Sequence, residues 1–365
     1  MSAVSLVALL LVIFGCGQES DLRKDQTAGK GLADVQQVTG SGSTLTFYNW
    51  EEYTGSATLE QFEKETGIAV NLITFDDDEE IIGAVQSGGF DGDLVVVSES
   101  LAAEMMKAKL LSPIDPAALP NLKHLDPDFL REKGDHLQYA IPYMIGTTGM
   151  AVNTKLIMEG ETDSWNLLWD ERYRGRLAML NNPFEVIAAT GKLLGYGVNP
   201  SGEETLDEVQ KKLLNQKELL AGYFDPAAIR EKMAAEEIWA AQTYSGDALM
   251  TTELNEDVVY VLPKEGGVSW MDVFVIPRGS AHVSGALAFI NFVHRPEVIG
   301  RIVSEVWTAT PNRAAREFID PEVLEDPAVY PDEEALHGYE FFGDMGSGES
   351  VRKRIEIWSD LTSQE

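Results

Sequence analysis

Four places in this sequence set an aromatic ring beside a carboxylate: Trp50 with Glu51, Glu52 and Tyr53; Glu185 after Asn181-Asn182-Pro183-Phe184; Tyr244 with Asp247; and Trp270 with Asp272. An ammonium group taken out of water needs an opposite charge, because desolvating it alone is prohibitive. A carboxylate at about 4 Å supplies roughly 4 kcal/mol at an effective dielectric of about 20. An indole face adds about 0.5–2 kcal/mol through cation–π attraction and flanks a methylene stem as well. A linear diamine or triamine asks for that mixture, acids at its ends and rings along its length. The same pairings also suit a sugar or another neutral solute, through stacking and hydroxyl hydrogen bonds. Taken singly, each ring is ordinary core and each acid ordinary solvated surface. The weight lies in four such pairings at loop positions.

Other chemistries find little in the chain. There is no Walker A loop, no GxGxxG after a strand, no GxSxG elbow and no HExxH. The histidines, at 124, 136, 282, 294 and 337, form no pair at ligand spacing, and the single cysteine is Cys16. Neither zinc nor triad chemistry is expected, no cofactor is implied, and a lipid-anchored hydrolase using paired carboxylates has no motif behind it. The run Asp76-Asp77-Asp78-Glu79-Glu80 lacks the alternating ligands and the glycine of an EF-hand, and reads instead as an acidic helix start. Lys plus Arg total 28 and Asp plus Glu 60, a formal charge of −32, which repels nucleic acid and anionic lipid and draws in cations.

The elements that must hold these residues alternate between strand and helix. Strand-like Thr44–Trp50 is followed by a helix over 56–66 with Gly67 as its cap, a strand over 68–75, a helix over 78–86, the all-apolar strand Leu94–Val97 and a helix over 100–110. A second α/β region runs from about 150 to 270, with a strand at 177–180 and helices near 185–194 and 204–220. Then come a buried strand at 273–276, an apolar helix at 285–293 and a further helix opened by Pro296. This alternation implies an α/β fold with mostly parallel sheets flanked by helices. Ligands of such sheets sit beyond the carboxyl ends of the strands, which singles out residues 49–53 and 98–100.

The amino-terminal end is of another kind. Ala3 to Phe14 is apolar, too short to span a bilayer and of signal-peptide length, and it ends in Ile13-Phe14-Gly15-Cys16, which resembles a bacterial lipobox. Cys16 is therefore expected to carry lipid, with residues 17–43, polar and Gly-rich, as a flexible tether to a membrane surface. Met1-Ser2-Ala3 holds no Lys or Arg, so the true start is expected upstream.

In order along the chain, Phe47-Tyr48-Asn49-Trp50-Glu51-Glu52-Tyr53, Asp93-Leu94-Val95-Val96-Val97-Ser98, Ile141-Pro142-Tyr143, Pro263-Lys264-Glu265-Gly266-Gly267, Trp270-Met271-Asp272 and Thr310-Pro311-Asn312-Arg313-Ala314-Ala315 resemble the bacterial polyamine-binding proteins of ABC importers, the periplasmic spermidine and putrescine receptors. The resemblance runs from Thr44 to about Ser359. It implies a two-lobed type II periplasmic binding protein fold with two crossing strands as hinge, near 147–153 and 271–277. Lobe one would be 44–148 plus 271–316 and lobe two 149–270 plus 317–365. It also implies a monomer in the periplasm or at the cell surface that delivers its ligand to a membrane permease without chemistry on it; a sensor that presents the ligand to a receptor would differ only in partner. Position by position, Trp50 and Tyr53 match the family's aromatic wall, Ser98 its loop hydroxyl, Glu185 an amine-binding acid, and Trp270 and Asp272 the wall and acid at the second crossing. Asp247 resembles an acid of the putrescine branch. Asn182, Tyr244, Ser100 and Phe342 depart from the spermidine pattern, and Glu51 would add a carboxylate at the mouth, so a shorter diamine is expected over spermidine.

Overall fold

The computed structural model describes residues 44–75, 78–158, 160, 162–342 and 348–363. The expected lipidation site Cys16 and tether 17–43 lie outside the described residues. Chain order is β1 (Thr44–Trp50), α1 (Thr58–Thr66), β2 (Ala69–Phe75), α2 (Asp78–Gln86), β3 (Leu94–Ser98), α3 (Glu99–Lys107), α4 (Pro127–Lys133), β4 (Ala140–Asn153), β5 (Leu177–Leu180), α5 (Pro183–Leu193) and α6 (Glu203–Lys217). There follow β6 (Leu220–Phe224), α7 (Pro226–Ala234), β7 (Ala240–Tyr244), α8 (Ser245–Leu254), β8 (Val258–Val261), β9 (Val268–Val275), α9 (Val283–Val293), α10 (Pro296–Val306), α11 (Pro321–Leu324), β10 (Glu340–Phe341) and α12 (Gly348–Thr362).

Gly67 ends α1 as expected, in the left-handed region at φ 72 with its N–H on the Glu63 carbonyl. The helix expected over 100–110 stops at Lys107 because Lys109 turns to φ 57. The largest revision concerns β9. It begins at Val268, so Trp270 and Asp272 sit inside a strand and not in the loop expected before 273. Pairing with β4, which continues to Thr148↔Val268, extends it.

The strands pair in the order β2-β1-β3-β9-β4-β7-β5-β6, with β8 on β4 and β10 on β9. β1 pairs parallel with β2 and β3, and β5 parallel with β6 and β7. β9 and β4, between these two parallel groups, pair antiparallel with each other and with β3 and β7.

Two sets of cores flank that middle. Leu45, Phe47, Phe62, Phe274, Phe289 and Ile302 are buried together in one. Trp165, Met179, Val186, Leu213 and Ile357 are buried together in another. β4 belongs to both, with Ile141 and Met144 in the first and Met150 and Val152 in the second. Ile319, Val323 and Val329, which fall in the stretch expected in lobe two, are buried in the first core. Leu94 to Val97 are fully buried, as a strand covered on both faces must be.

A polar knot fastens the first core to β4. His294, at the end of α9, lies 2.8 Å from the Pro142 carbonyl through Nε2. Asn312, buried at 1% exposure, donates to the His294 carbonyl at 3.0 Å and accepts from the Ala315 N–H at 3.2 Å. Asn312→Ala leaves both groups buried without this partner, and should cost about 1–3 kcal/mol in urea unfolding. A loss under about 0.5 kcal/mol, the size of an ordinary surface change, would show the knot to be dispensable.

Candidate functional site

Each candidate residue is placed by a strand end or by β9 itself. Trp50 closes β1 and stacks obliquely on Phe75, the ring centroids 4.3 Å apart. The turn that follows exposes Glu51 and Glu52, Glu52 at φ 54, and turns Tyr53 inward. The Tyr53 hydroxyl donates to Asp272 Oδ2 at 2.8 Å. Its ring meets the edge of Tyr143 at 5.6 Å, and the Tyr143 hydroxyl donates to the Tyr53 carbonyl at 2.6 Å. Burial, and next the charge of Asp272, push the Tyr53 phenol well above its usual range, so it stays a donor.

Ser98 ends β3, directly opposite Asp272 in the antiparallel register. Its Oγ accepts the Leu101 N–H at 3.2 Å as the cap of α3 and lies 3.1 Å from Ser100 Oγ. Trp270 and Asp272 are two apart on β9, so their side chains leave the same face, while Met271 and Val273 turn into the core. Opposite Trp270 is Gly146, where a Cβ would come within 2.3 Å of the indole Cζ2. Glycine is what lets the indole lie on the hinge strand. The Tyr244 ring, at the end of β7, meets Trp270 edge-on at 6.0 Å. The Trp270 Nε1 is buried without a hydrogen-bond partner among the described residues.

Glu185 sits in the first turn of α5. Asn182 caps that helix, accepting the N–H groups of Phe184 at 3.0 Å and Glu185 at 3.3 Å. The departure at Asn182 thus has a structural use, since its side chain is committed to the cap. Glu185 is 3% exposed, and its Oε2 is buried without a hydrogen-bond partner among the described residues. Burial pushes the carboxyl up to about 8, with the Thr148 hydroxyl pulling it down. Asp247, in the first turn of α8, is pushed up to about 6 by burial, opposed by Arg230 and reinforced by Glu52.

All nine candidate binding residues thus come from the carboxyl ends of β1, β3, β5 and β7 and from β9, although Glu51 is turned out to solvent. Direct contacts join Tyr53 to Asp272 and Tyr244 to Trp270, and β9 joins the two pairs. Sequence reasoning missed three participants. Tyr143 was visible as Ile141-Pro142-Tyr143 but had no chemical signal of its own. Thr148 emerges only from its register opposite Tyr244. Arg230 lies 3.7 Å from Asp247 and 3.3 Å from Glu52, and nothing in the sequence links it to either. Phe342 packs with Trp270 against Ala188, Val198 and Val268. A cavity of about 200 Å³ also touches Trp270 and Gly146, but no carboxylate lines it, so a cation would find its partners elsewhere.

Among the described residues no group of three or more His, Cys, Asp or Glu could hold a metal ion, and no helix is long and apolar enough to cross a membrane. The arrangement offers three acids and two aromatic walls on elements drawn from both sides of the β4–β9 pair, and two of the acids, Glu185 and Asp247, are shifted toward protonation by burial.

The chain belongs to the bacterial extracellular solute-binding proteins, whose family pattern matches residues 57–331. The two-lobed α/β architecture with crossing strands is that of periplasmic binding proteins. It is 33% identical to the spermidine/putrescine-binding periplasmic protein of Escherichia coli K12 over 85% of this chain and 89% of that one. It is 30% identical to a putrescine-binding periplasmic protein of Pseudomonas aeruginosa over 92% of this chain and 96% of that one. Among solved structures, the spermidine/putrescine ABC transporter substrate-binding protein of Streptococcus pneumoniae superposes with a TM-score of 0.76 at 29% identity, covering 87% of this chain and 98% of that one.

The raised Glu185 carboxyl has a consequence for stability. Between its ordinary 4.5 and about 8 the folded chain holds a proton that the unfolded chain has lost, so stability falls as pH rises through that window. Asp247 acts with the same sign between 3.8 and about 6. Thermal unfolding should therefore show a falling midpoint from pH 6 to 8, and Glu185→Gln should flatten it. An unchanged slope in the variant would remove Glu185 as its source.

Proposed function

We propose that this chain captures a polyamine between its two lobes, with putrescine or another short diamine favoured over spermidine, and hands it unchanged to an ABC transporter permease. Lobe one comprises residues 44–148 and 271–316, carried on to 329 by the packing of Ile319, Val323 and Val329, and lobe two takes the remainder. The protein acts as a monomer, held at the membrane by lipid on Cys16.

One observation carries the reading. Among the described residues Glu185 keeps its Oε2 buried and unpaired, while another acid, Asp272, two residues from the Trp270 wall, is held by the Tyr53 hydroxyl. A buried acid of that kind has its energy lowered by a cationic partner. The relatives named for spermidine and putrescine support a linear polyamine. The cap formed by Asn182, and the pairing of Asp247 with the Arg230 guanidinium, support the shorter one.

Titration calorimetry of ligand-stripped protein with putrescine, cadaverine, spermidine and spermine should show binding, tightest for a diamine and weakening as salt rises. No heat with any of the four would sink the reading, and binding of a neutral solute without salt dependence would put a sugar-type ligand in its place. Asp272→Asn should weaken diamine binding by about 3 kcal/mol, roughly two orders of magnitude in Kd. Equal affinity would mean that Asp272 is not an amine partner.

Glu185 adds a proton linkage. At pH 7 its carboxyl is mostly protonated, and an ammonium beside it favours the carboxylate. Binding should then release a proton, visible as different apparent enthalpies in phosphate and Tris buffers. Identical enthalpies after correction for dilution would exclude Glu185 as the partner.

A further inference from the structure

Arg230 stands out among the described cations because it lies within reach of two acids carried by different parallel strand groups, Asp247 after β7 and Glu52 after β1. It is carried by α7, and its Nη1 is 3.7 Å from Asp247 Oδ1 on α8 while its Nη2 is 3.3 Å from Glu52 Oε2 in the turn after β1. A second contact to α8 runs from Nη1 to the Met250 sulfur at 3.1 Å. The guanidinium is not a loose surface group, since its side chain and that of Asp247 are 22% and 24% exposed, whereas Glu52 is 63% exposed. Glu52 itself holds φ 54, a left-handed conformation that L side chains rarely adopt, within the turn that also places Tyr53 on Asp272.

We propose that Arg230 is a selectivity-determining residue of the cleft: its guanidinium occupies the cation position at Asp247 and, through Glu52, ties α7 and α8 to the turn after β1. The inference rests on the reading of the cleft as a polyamine site. A ligand with two ammonium groups can use Glu185 and Asp272 and leave the latch intact. A ligand with a third or fourth charge gains Asp247 only by displacing a guanidinium that two carboxylates already hold. Arg230 therefore counts as one of the cations of the filled site and penalises ligands that bring too many of their own. Substitution of Arg230 frees Asp247 and Glu52 together, and the added negative charge favours the ligands of higher charge.

The test is the ratio of putrescine to spermidine and spermine affinities, measured by calorimetry on the whole chain at one ionic strength. Arg230→Gln should tighten spermidine and spermine relative to putrescine by tenfold or more. Glu52→Gln leaves the guanidinium to Asp247 alone and should shift the ratio the other way. This substitution lies in an exposed turn, so it keeps the test open if Arg230→Gln unfolds. Arg174→Gln, at an exposed position before the amino end of β5, should leave the ratio unchanged. A ratio within twofold of wild type in both Arg230→Gln and Glu52→Gln overturns the proposal while the polyamine reading stands, and so does an equal shift in Arg174→Gln. If wild type binds none of the three amines, the polyamine reading falls and this inference falls with it.

Discussion

Strands β4 and β9 lie antiparallel from Ala140↔Val275 to Thr148↔Val268, and both parallel groups of the described sheet attach to that ladder. The parallel group of β1, β2 and β3 attaches to one side through β9, and the group of β5, β6 and β7 attaches to the other through β4. Pleating then decides which residues meet. With a period of two, Trp270 and Asp272 must leave one face of β9 while Met271 and Val273 leave the other. A slip of one residue would exchange an aromatic wall and an acid for two core side chains. Gly146 is fixed by the same register, because the strand beside Trp270 has no room for a side chain there.

The acids of the cleft are held in three different ways. Asp272 is stabilised by the Tyr53 hydroxyl, a neutral donor that is itself braced by Tyr143. Asp247 is balanced by a guanidinium. Glu185 has its Oε2 unpaired among the described residues and answers by shifting toward its protonated form. Removing a carboxylate from water costs several kcal/mol unless charge or hydrogen bonds return it. A fold that keeps such a group at 3% exposure carries that cost in every molecule, and an opposite charge placed beside it would relieve it.

Net charge acts over a longer range than these contacts. At a formal −32 the chain attracts small cations from solution, which raises their encounter rate without deciding which of them fits. In the proposed site Arg230, paired with Asp247 and Glu52, opposes that general field at one point. The contrast between a diffuse negative field and a single placed cation separates attraction from selection.

How much of this was legible beforehand follows from the range of each interaction. The alternation of apolar strands and capped helices, the fully buried Leu94–Val97 and the stop at Gly67 are local matters of pattern and backbone freedom, so the sequence alone determined them. The pairing of rings with acids at 50–53, 185, 244–247 and 270–272 was likewise readable from residue types, and the family resemblance supplied the binding roles expected of them. What residue types could not express was distance across the chain. Tyr53 finds Asp272 over 219 positions, and Arg230 finds Glu52 over 178, through strand order and register that no local pattern encodes. The inclusion of Trp270 in β9, the capping use of Asn182 and the isolation of Glu185 were likewise decided only by tertiary structure, because burial and pairing belong to neighbours that folding brings together.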